Sequence, residues 1–535
     1  MIDENQSGGA VMSNAMLLSA MLAVATVLPQ AAAAQQEAPV TVTSRDGGFV
    51  ITGTLAGFDG QLLRLSTDYG PVTVDIAEVT CEGAACPDPS APMVPTLRLS
   101  GAPALGAVLL PALIQTFAGR RAVSFDRADP APDRIEIALS DAGVPVARFE
   151  LTLSTTEEGF ADLAADEADM VMAVREIRAD EAQRSFDAGA GDLTGPRRLR
   201  VVALDALAPA VSPANPFGGA SFPMLAGIWS GEIADWSALT GIEAPVAVHD
   251  LPAEGGFAQG FADRVLAPAG LAPAPTVMRH DDAAELALAV AQNPAAIGLA
   301  RFSQIGNLRP VALVGDCGRR LSLSAASLKA EDYPLAAPLA LYVPARRMPQ
   351  IFRDFLDFLG TPAADLVVRR LGLTDQVPVE VPLADQGERL ANAILAAGEE
   401  VSLGDLQQML VELADTRRLS ITFRFRGGST RLDPMSESGV DRLARDIAAG
   451  IYDGRQILFA GFSDGDGAAA GNREIALRRA EAVLAAVREE LQRLGTPPGA
   501  GPALRAEGFG EALPLACDDS DWGRQANRRV EVWLR

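Results

Sequence analysis

The sequence predicts a multidomain α/β protein with a small β module in front, a long α/β region in the middle and an α+β domain at the C-terminal end. Three patterns carry this. Residues 40–76 alternate short β-prone runs with turn signals at Asp46-Gly47-Gly48, Asp59-Gly60 and Tyr69-Gly70. From Thr96 to about Asp375, strand-like runs alternate with apolar residues at helical spacing, as in Leu105, Leu109, Leu113 and Phe117. Near the end, an apolar strand (456–462), an acidic Gly-rich loop and a long amphipathic helix follow one another. A chain of 535 residues, 48% hydrophobic and 21% charged, suits several globular units rather than one.

Taken in order, residues 1–34 read as a leader. An apolar run over 16–28, too short to span a bilayer, precedes an Ala-rich A-x-A cleavage pattern, so the mature chain is expected to begin near Gln35. No Lys or Arg stands ahead of Arg45, which leaves Met12 and Met16 as alternative starts. No cysteine follows the cleavage pattern, so a lipid anchor is not expected. No later run is long enough for a transmembrane helix. The expected compartment is the periplasm. A net charge of −24 opposes contact with nucleic acid or an anionic membrane surface.

The β module is expected over 40–86. Cys81 and Cys86, in CEGAAC, are close enough for a small disulfide loop, and no second Cys or His pair has metal-ligand spacing, so neither metal nor cofactor is expected. Cys317 and Cys517 either bridge two domains or stay free and buried. Pro87-Asp88-Pro89-Ser90-Ala91-Pro92 marks a linker. At the start of the middle region, Ser100-Gly101-Ala102 sits at a strand-to-helix junction, where a hydroxyl and backbone N–H groups could meet an anion.

Further along come Ala168-Asp169-Met170-Val171-Met172-Ala173-Val174-Arg175, Val202-Ala203-Leu204-Asp205 with Asn215-Pro216, and Gly227-Ile228-Trp229-Ser230-Gly231-Glu232-Ile233-Ala234-Asp235-Trp236. Ala296-Ile297-Gly298 and Tyr333-Pro334-Leu335 follow. These blocks resemble the phosphate-type periplasmic solute-binding proteins. The resemblance spans 96–375 and implies two lobes, a hinge and a cleft. The family's S-G-T phosphate turn should fall within Leu251-Pro252-Ala253-Glu254-Gly255-Gly256-Phe257, where a carboxylate replaces the hydroxyls, and Ala173-Val174 stand where two more hydroxyls are expected. A carboxylate beside an oxyanion repels it. Arg175 persists, either as a ligand contact or tied to a carboxylate such as Glu176 or Asp169.

Residues 376–416 read as a linker with two amphipathic helices, the second capped by Ser402. The last domain is expected over 417–535. Its blocks are Gly461, Ser463, Asp464 and Gly467; Asn472, Ile475, Ala476, Arg479 and Ala480; Gly508-Phe509-Gly510-Glu511; and Asn527-Arg528-Arg529-Val530-Glu531. In this order they resemble the OmpA-like peptidoglycan-binding domain. That family grips the free amine and carboxylate of diaminopimelate with an Asp and an Arg, which the resemblance assigns to Asp464 and Arg479, with Ser463 and Asn472 beside them. A carboxylate facing a guanidinium suits a zwitterion on physical grounds as well. Gly461-Phe462-Ser463-Asp464-Gly465 also fits the G-x-S-x-G elbow of hydrolases. That reading fails, because the only histidines, His249 and His280, lie far upstream.

The sequence therefore reads as a non-catalytic envelope protein, held to peptidoglycan by its last domain and carrying a solute-binding fold with a degenerate phosphate site. The alternative is an oxyanion receptor of an ABC transport system tethered to the wall.

Overall fold

The computed structural model describes residues 39–88, 94–398, 400–427, 429–497 and 499–535. The leader expected over 1–34 and part of the Pro87–Pro92 linker lie outside them.

The front module is a five-stranded antiparallel sheet in the order Gly70–Asp75, Leu62–Thr67, Val50–Phe58, Val40–Ser44, Val79–Glu82. Alternating inward residues Val40, Val42, Leu63, Leu65, Val74 and Val79 form its core. Cys81 and Cys86 are joined, with Cα atoms 5.8 Å apart. A Cβ on Gly57 would lie 2.2 Å from the Arg64 guanidinium, so the glycine makes room for Arg64 to cross to Asp166 and Asp169 of the next domain at 3.2 and 3.3 Å. Asp169 is a hub, also holding Arg98 and Arg346 at 3.0 and 2.6 Å. Burial alone would raise its carboxyl, but the Arg98 and Arg346 guanidiniums keep it below the ordinary range.

The middle domain is built on one long sheet. Strands Leu199–Val211 and Ala336–Tyr342 pair antiparallel at its centre, with a bulge between Val201 and Ala203. On one side lie Met170–Ala173, Thr96–Gly101, Val144–Leu153, Arg134–Asp141 and Ser124–Ala131; on the other lie Ala296–Arg301, Ala247–Asp250 and Met278–Arg279. The two halves are two lobes, and the central pair crosses between them. Both tryptophans of the Gly227–Trp236 block are fully buried. Trp229 donates to Asp250 at 3.0 Å and Trp236 to the Ala295 carbonyl at 2.8 Å, so this block fastens the second lobe together rather than meeting solute.

The C-terminal sheet runs Glu380–Pro382, Arg417–Arg424, Arg529–Leu534, Gln456–Gly461, Ala503–Gly508. Helices Pro434–Ala448 and Ala469–Arg493 cover one face through Val440, Leu443, Val483 and Val487. The stretch 376–416 differs from a free linker. It supplies an edge strand, and its helices Gly387–Ala396 and Leu403–Leu413 pack Ala393, Leu406, Met409 and Leu413 against Leu458, Phe462 and Trp533 on the opposite face. Alternate residues of Gln456–Gly461 are apolar toward both sides, so the sheet needs a second covering layer.

The C-terminal domain is docked on the middle one by ion pairs Arg200–Asp441 (2.7 Å), Arg442–Asp365 (2.9 Å) and Arg418–Asp332 (2.6 Å). Of the two fates open to Cys317 and Cys517, the structure has the bridge, across a sequence separation of 200. Denatured but unreduced protein is therefore expected to take up no alkylating reagent, whereas reduction should expose all 4 thiols to it. Intact mass measures this: two labels on the unreduced chain would contradict one bridge, and four would contradict both. No helix among the described residues is long and apolar enough to cross a membrane.

Candidate functional site

Two places gather the residues singled out by the sequence. The first is the cleft between the lobes, about 650 Å³ in volume. The anion donors expected there are already engaged within the protein. Ser100 donates its hydroxyl to Asp162 at 2.5 Å and lies 3.2 Å from the Ser154 hydroxyl. The Ala102 N–H donates to the Met172 carbonyl at 2.8 Å, so it is not a free donor at the helix start. Gly101 sits at φ +132° with that same carbonyl 2.2 Å from where a Cβ would stand, which explains the glycine by close backbone approach. The Val174 N–H is bonded to the Thr156 hydroxyl at 3.2 Å.

Arg175 is buried and does not line the cleft. The carboxylate it holds is neither that of Glu176 nor that of Asp169 but that of Glu181, in the first turn of the next helix, in a bidentate pair at 2.8 and 2.6 Å; from Glu176 it takes only the backbone carbonyl, at 3.0 Å. Its Nε donates to Gln259 of the other lobe at 2.8 Å, and Gln259 in turn donates to Glu157 at 2.9 Å. Arg178 adds a second cross-lobe tie to Asp263 at 3.0 Å. Where the phosphate turn was expected, the lobes touch: a Cβ on Gly256 would stand 2.5 Å from the Thr156 hydroxyl and 2.7 Å from the Val174 side chain. Of Ser100, Gly101, Ala102 and Arg175, Ala102 alone lines the cleft.

The second place is at the end of Gln456–Gly461. A Cβ on Gly461 would lie 2.0 Å from the Ala476 carbonyl, and one on Gly508 2.5 Å from the Leu477 N–H. These two glycines let the helix Ala469–Arg493 lie directly against the strand ends. That approach brings Arg479, on its third turn, toward the loop carrying Ser463 and Asp464. The Arg479 guanidinium is buried over the Phe425 ring, 5.6 Å from its centroid, and its Nε and Nη1 have no hydrogen-bond partner among the described residues. Burial and the nearby Arg528 charge lower its pKa, against the pull of Asp464. The Ser463 hydroxyl is likewise buried without a partner among the described residues.

Asp464 is paired not with Arg479 but with Arg528, at 2.5 Å. Asn472 donates to Glu511 at 2.5 Å. Burial raises the Glu511 carboxyl, opposed by that hydrogen bond and reinforced by Glu400, Asp518 and Asp464. The arrangement can therefore offer an incoming carboxylate a desolvated, unsatisfied guanidinium and a hydroxyl, and an incoming ammonium the Asp464 carboxylate. Arg528, Glu511 and Phe425 were not singled out as site residues. Arg528 and Glu511 stand inside motif blocks, which was the available signal; Phe425 left none.

A family model described as a PBP superfamily domain matches residues 88–362, just over half of the chain. A second, described as OmpA family, matches residues 424–528. No curated protein matches. Among solved structures, the chain is similar to an ABC-type phosphate transport receptor from Vibrio cholerae at 16% identity and a TM-score of 0.40, covering 52% of this chain and 98% of that one. It is also similar to the periplasmic domain of Helicobacter pylori MotB (21% identity, TM-score 0.19, 23% of this chain and 74% of that one). A third likeness is to the peptidoglycan-associated lipoprotein from Burkholderia pseudomallei (23% identity, TM-score 0.18, 21% and 89%). The chain belongs to the PBP superfamily through its middle domain, and its last domain is of the OmpA family.

Proposed function

We propose that this protein is a non-catalytic, periplasmic, wall-associated protein that holds the peptidoglycan stem peptide in its OmpA domain, at the inner face of the outer membrane. The observation that carries the reading is the pair of buried, unpartnered donors, Arg479 and Ser463. A buried donor without a partner costs about 1–3 kcal/mol, more when charged, and a ligand carboxylate would relieve that cost. In this reading the diaminopimelate carboxylate sits on Arg479 and Ser463, and its ammonium takes Asp464 from Arg528. Asn472 and Glu511 brace the loop. Co-sedimentation of the mature chain with peptidoglycan, with free diaminopimelate as competitor, tests it. A chain that stays in the supernatant would defeat the assignment.

In the same reading the cleft of the middle domain is a degenerate phosphate site, supported by Ser100, Ala102, Val174 and Arg175 all spending their donors internally. A buried oxyanion must have nearly all its oxygens satisfied to offset desolvation. Isothermal titration of the mature chain with phosphate is expected to give no binding below about 1 mM, a free energy no better than about −4 kcal/mol. Micromolar binding would favour the alternative, an oxyanion receptor tethered to the wall.

A further inference from the structure

The cleft remains open space after the phosphate donors are accounted for, and its lining has a chemistry of its own. We propose that it takes an organic cation: an ammonium group carried on an apolar body of roughly eight to twenty heavy atoms, a size that pockets of this class accommodate. The inference rests on the cleft's being closed to phosphate, and goes beyond that reading by naming what the space fits instead.

The apolar part is supplied mainly by the first lobe and the crossover. Pro103, Val108 and Leu109 form one wall, Leu371 and Leu373 a second, and Phe257 faces them from the other lobe. Val108 is 58% exposed, so this wall offers apolar surface to whatever enters the cleft. The charged part is one-sided. Glu254, Asp281 and Asp282 stand on the rim of the second lobe. Asp282 is occupied in capping a helix, accepting from Ala284 and Glu285 at 2.8 and 3.0 Å. Glu254 and Asp281 form no ion pair among the described residues.

Among the described residues Arg301 is the one cation lining the cleft, and it is already paired. It reaches Asp205 at 2.9 Å, gives Gln304 a hydrogen bond at 3.0 Å and lies over Phe257 at 4.7 Å. An anion entering would therefore meet two unpaired carboxylates and no free donor of positive charge. An ammonium would meet these carboxylates while its apolar body covers the exposed Pro103, Val108 and Leu371. Because the carboxylates are on an exposed rim, their contribution is screened by salt.

Four probes decide it on the full mature chain by isothermal titration: 2-phenylethylamine, its neutral and anionic shape analogues 2-phenylethanol and 3-phenylpropionate, and inorganic phosphate. The amine is expected to bind best, about tenfold or more above the carboxylate, with the margin shrinking as salt is raised from about 0.05 to 0.5 M. The double variant Glu254→Gln, Asp281→Asn, both exposed and outside the core, should remove that margin while leaving the alcohol unchanged. Near-UV circular dichroism confirms that the variant is folded. The proposal is overturned if the carboxylate binds as well as the amine, if the double variant keeps the margin, or if no amine binding is detected up to about 5 mM. Tight phosphate binding would instead overturn the degenerate-site reading beneath it; absence of both overturns this inference alone.

Discussion

The Arg479→Ala protein is expected to remain in the supernatant when peptidoglycan is pelleted, under conditions in which the parent pellets with the wall. Removing the guanidinium leaves a desolvated ligand carboxylate facing only the Ser463 hydroxyl. Truncating one member of a buried charge pair costs roughly 2–4 kcal/mol, which is about a thirty- to several-hundred-fold rise in dissociation constant. Arg479→Lys should recover only part of this, because an ammonium lacks the two parallel donors of the fork and would have to reach across the Phe425 ring. Asp464→Ala should lose binding to a similar degree through the other end of the zwitterion, since the ligand ammonium then has no counter-charge and Arg528 is left unpaired beside it. Arg479 is outside the hydrophobic core clusters and makes no hydrogen bond through Nε or Nη1, so the alanine variant should fold. Near-UV circular dichroism checks that separately. If the folded Arg479→Ala and Asp464→Ala proteins pellet like the parent, the zwitterion site is not what holds the wall.

What the sequence made legible was local. Gly461 and Gly508 can be recognised as fixed positions because each lies in a short block, and the structure gives each the same reason, a helix backbone too close for any Cβ. The crossing strand around Val202–Asp205 and the Trp229–Trp236 block were readable for the same cause: long apolar runs and paired aromatics betray burial without naming a partner. Partners were not readable. Arg175 has carboxylates on either side in sequence, yet the one it holds is Glu181, because the helix starting at Ala179 turns that side chain inward. Asp464 and Arg479 were expected to face each other, whereas Arg528 arrives at Asp464 from the far end of the chain. Helices Gly387–Ala396 and Leu403–Leu413 read as a coupling piece because amphipathicity announces that a face will be buried but not against what. The Cys317–Cys517 bridge was one of two open outcomes for a related reason: its closure depends on how two domains dock, and no spacing rule reaches across 200 residues.

Replacing Glu531 by glutamine is expected to lower the urea midpoint of the C-terminal domain by an amount equivalent to roughly 3–5 kcal/mol, the cost of breaking a buried ion pair from one side. Glu531 ends the last motif block, and its place in the fold explains why a carboxylate stands there. Fully buried, it accepts from Arg529 at 2.7 Å and Arg389 at 2.5 Å and lies 3.3 Å from Arg418. Arg418 then reaches over to Asp332 of the middle domain at 2.6 and 2.9 Å. One carboxylate thus joins the covering helix, two sheet strands and, through Arg418, the neighbouring domain. Glutamine keeps the shape but leaves the buried Arg418 and Arg529 and the half-buried Arg389 with Asp332 as their one remaining counter-charge among the described residues. Burial by itself would raise the Glu531 carboxyl; the charges of Arg389, Arg418 and Arg529 outweigh it and hold the group far below its ordinary range. The sign of the pH dependence follows from that depression. Stability from the ionised group is fully present above the unfolded-state pKa of about 4.3 and is lost as pH falls below it toward the folded value. The gap between parent and variant should therefore be constant from about pH 6 to 8 and narrow below about pH 4. A variant as stable as the parent at neutral pH, or a gap that widens on acidification, would mean that the three guanidiniums are held by something other than Glu531.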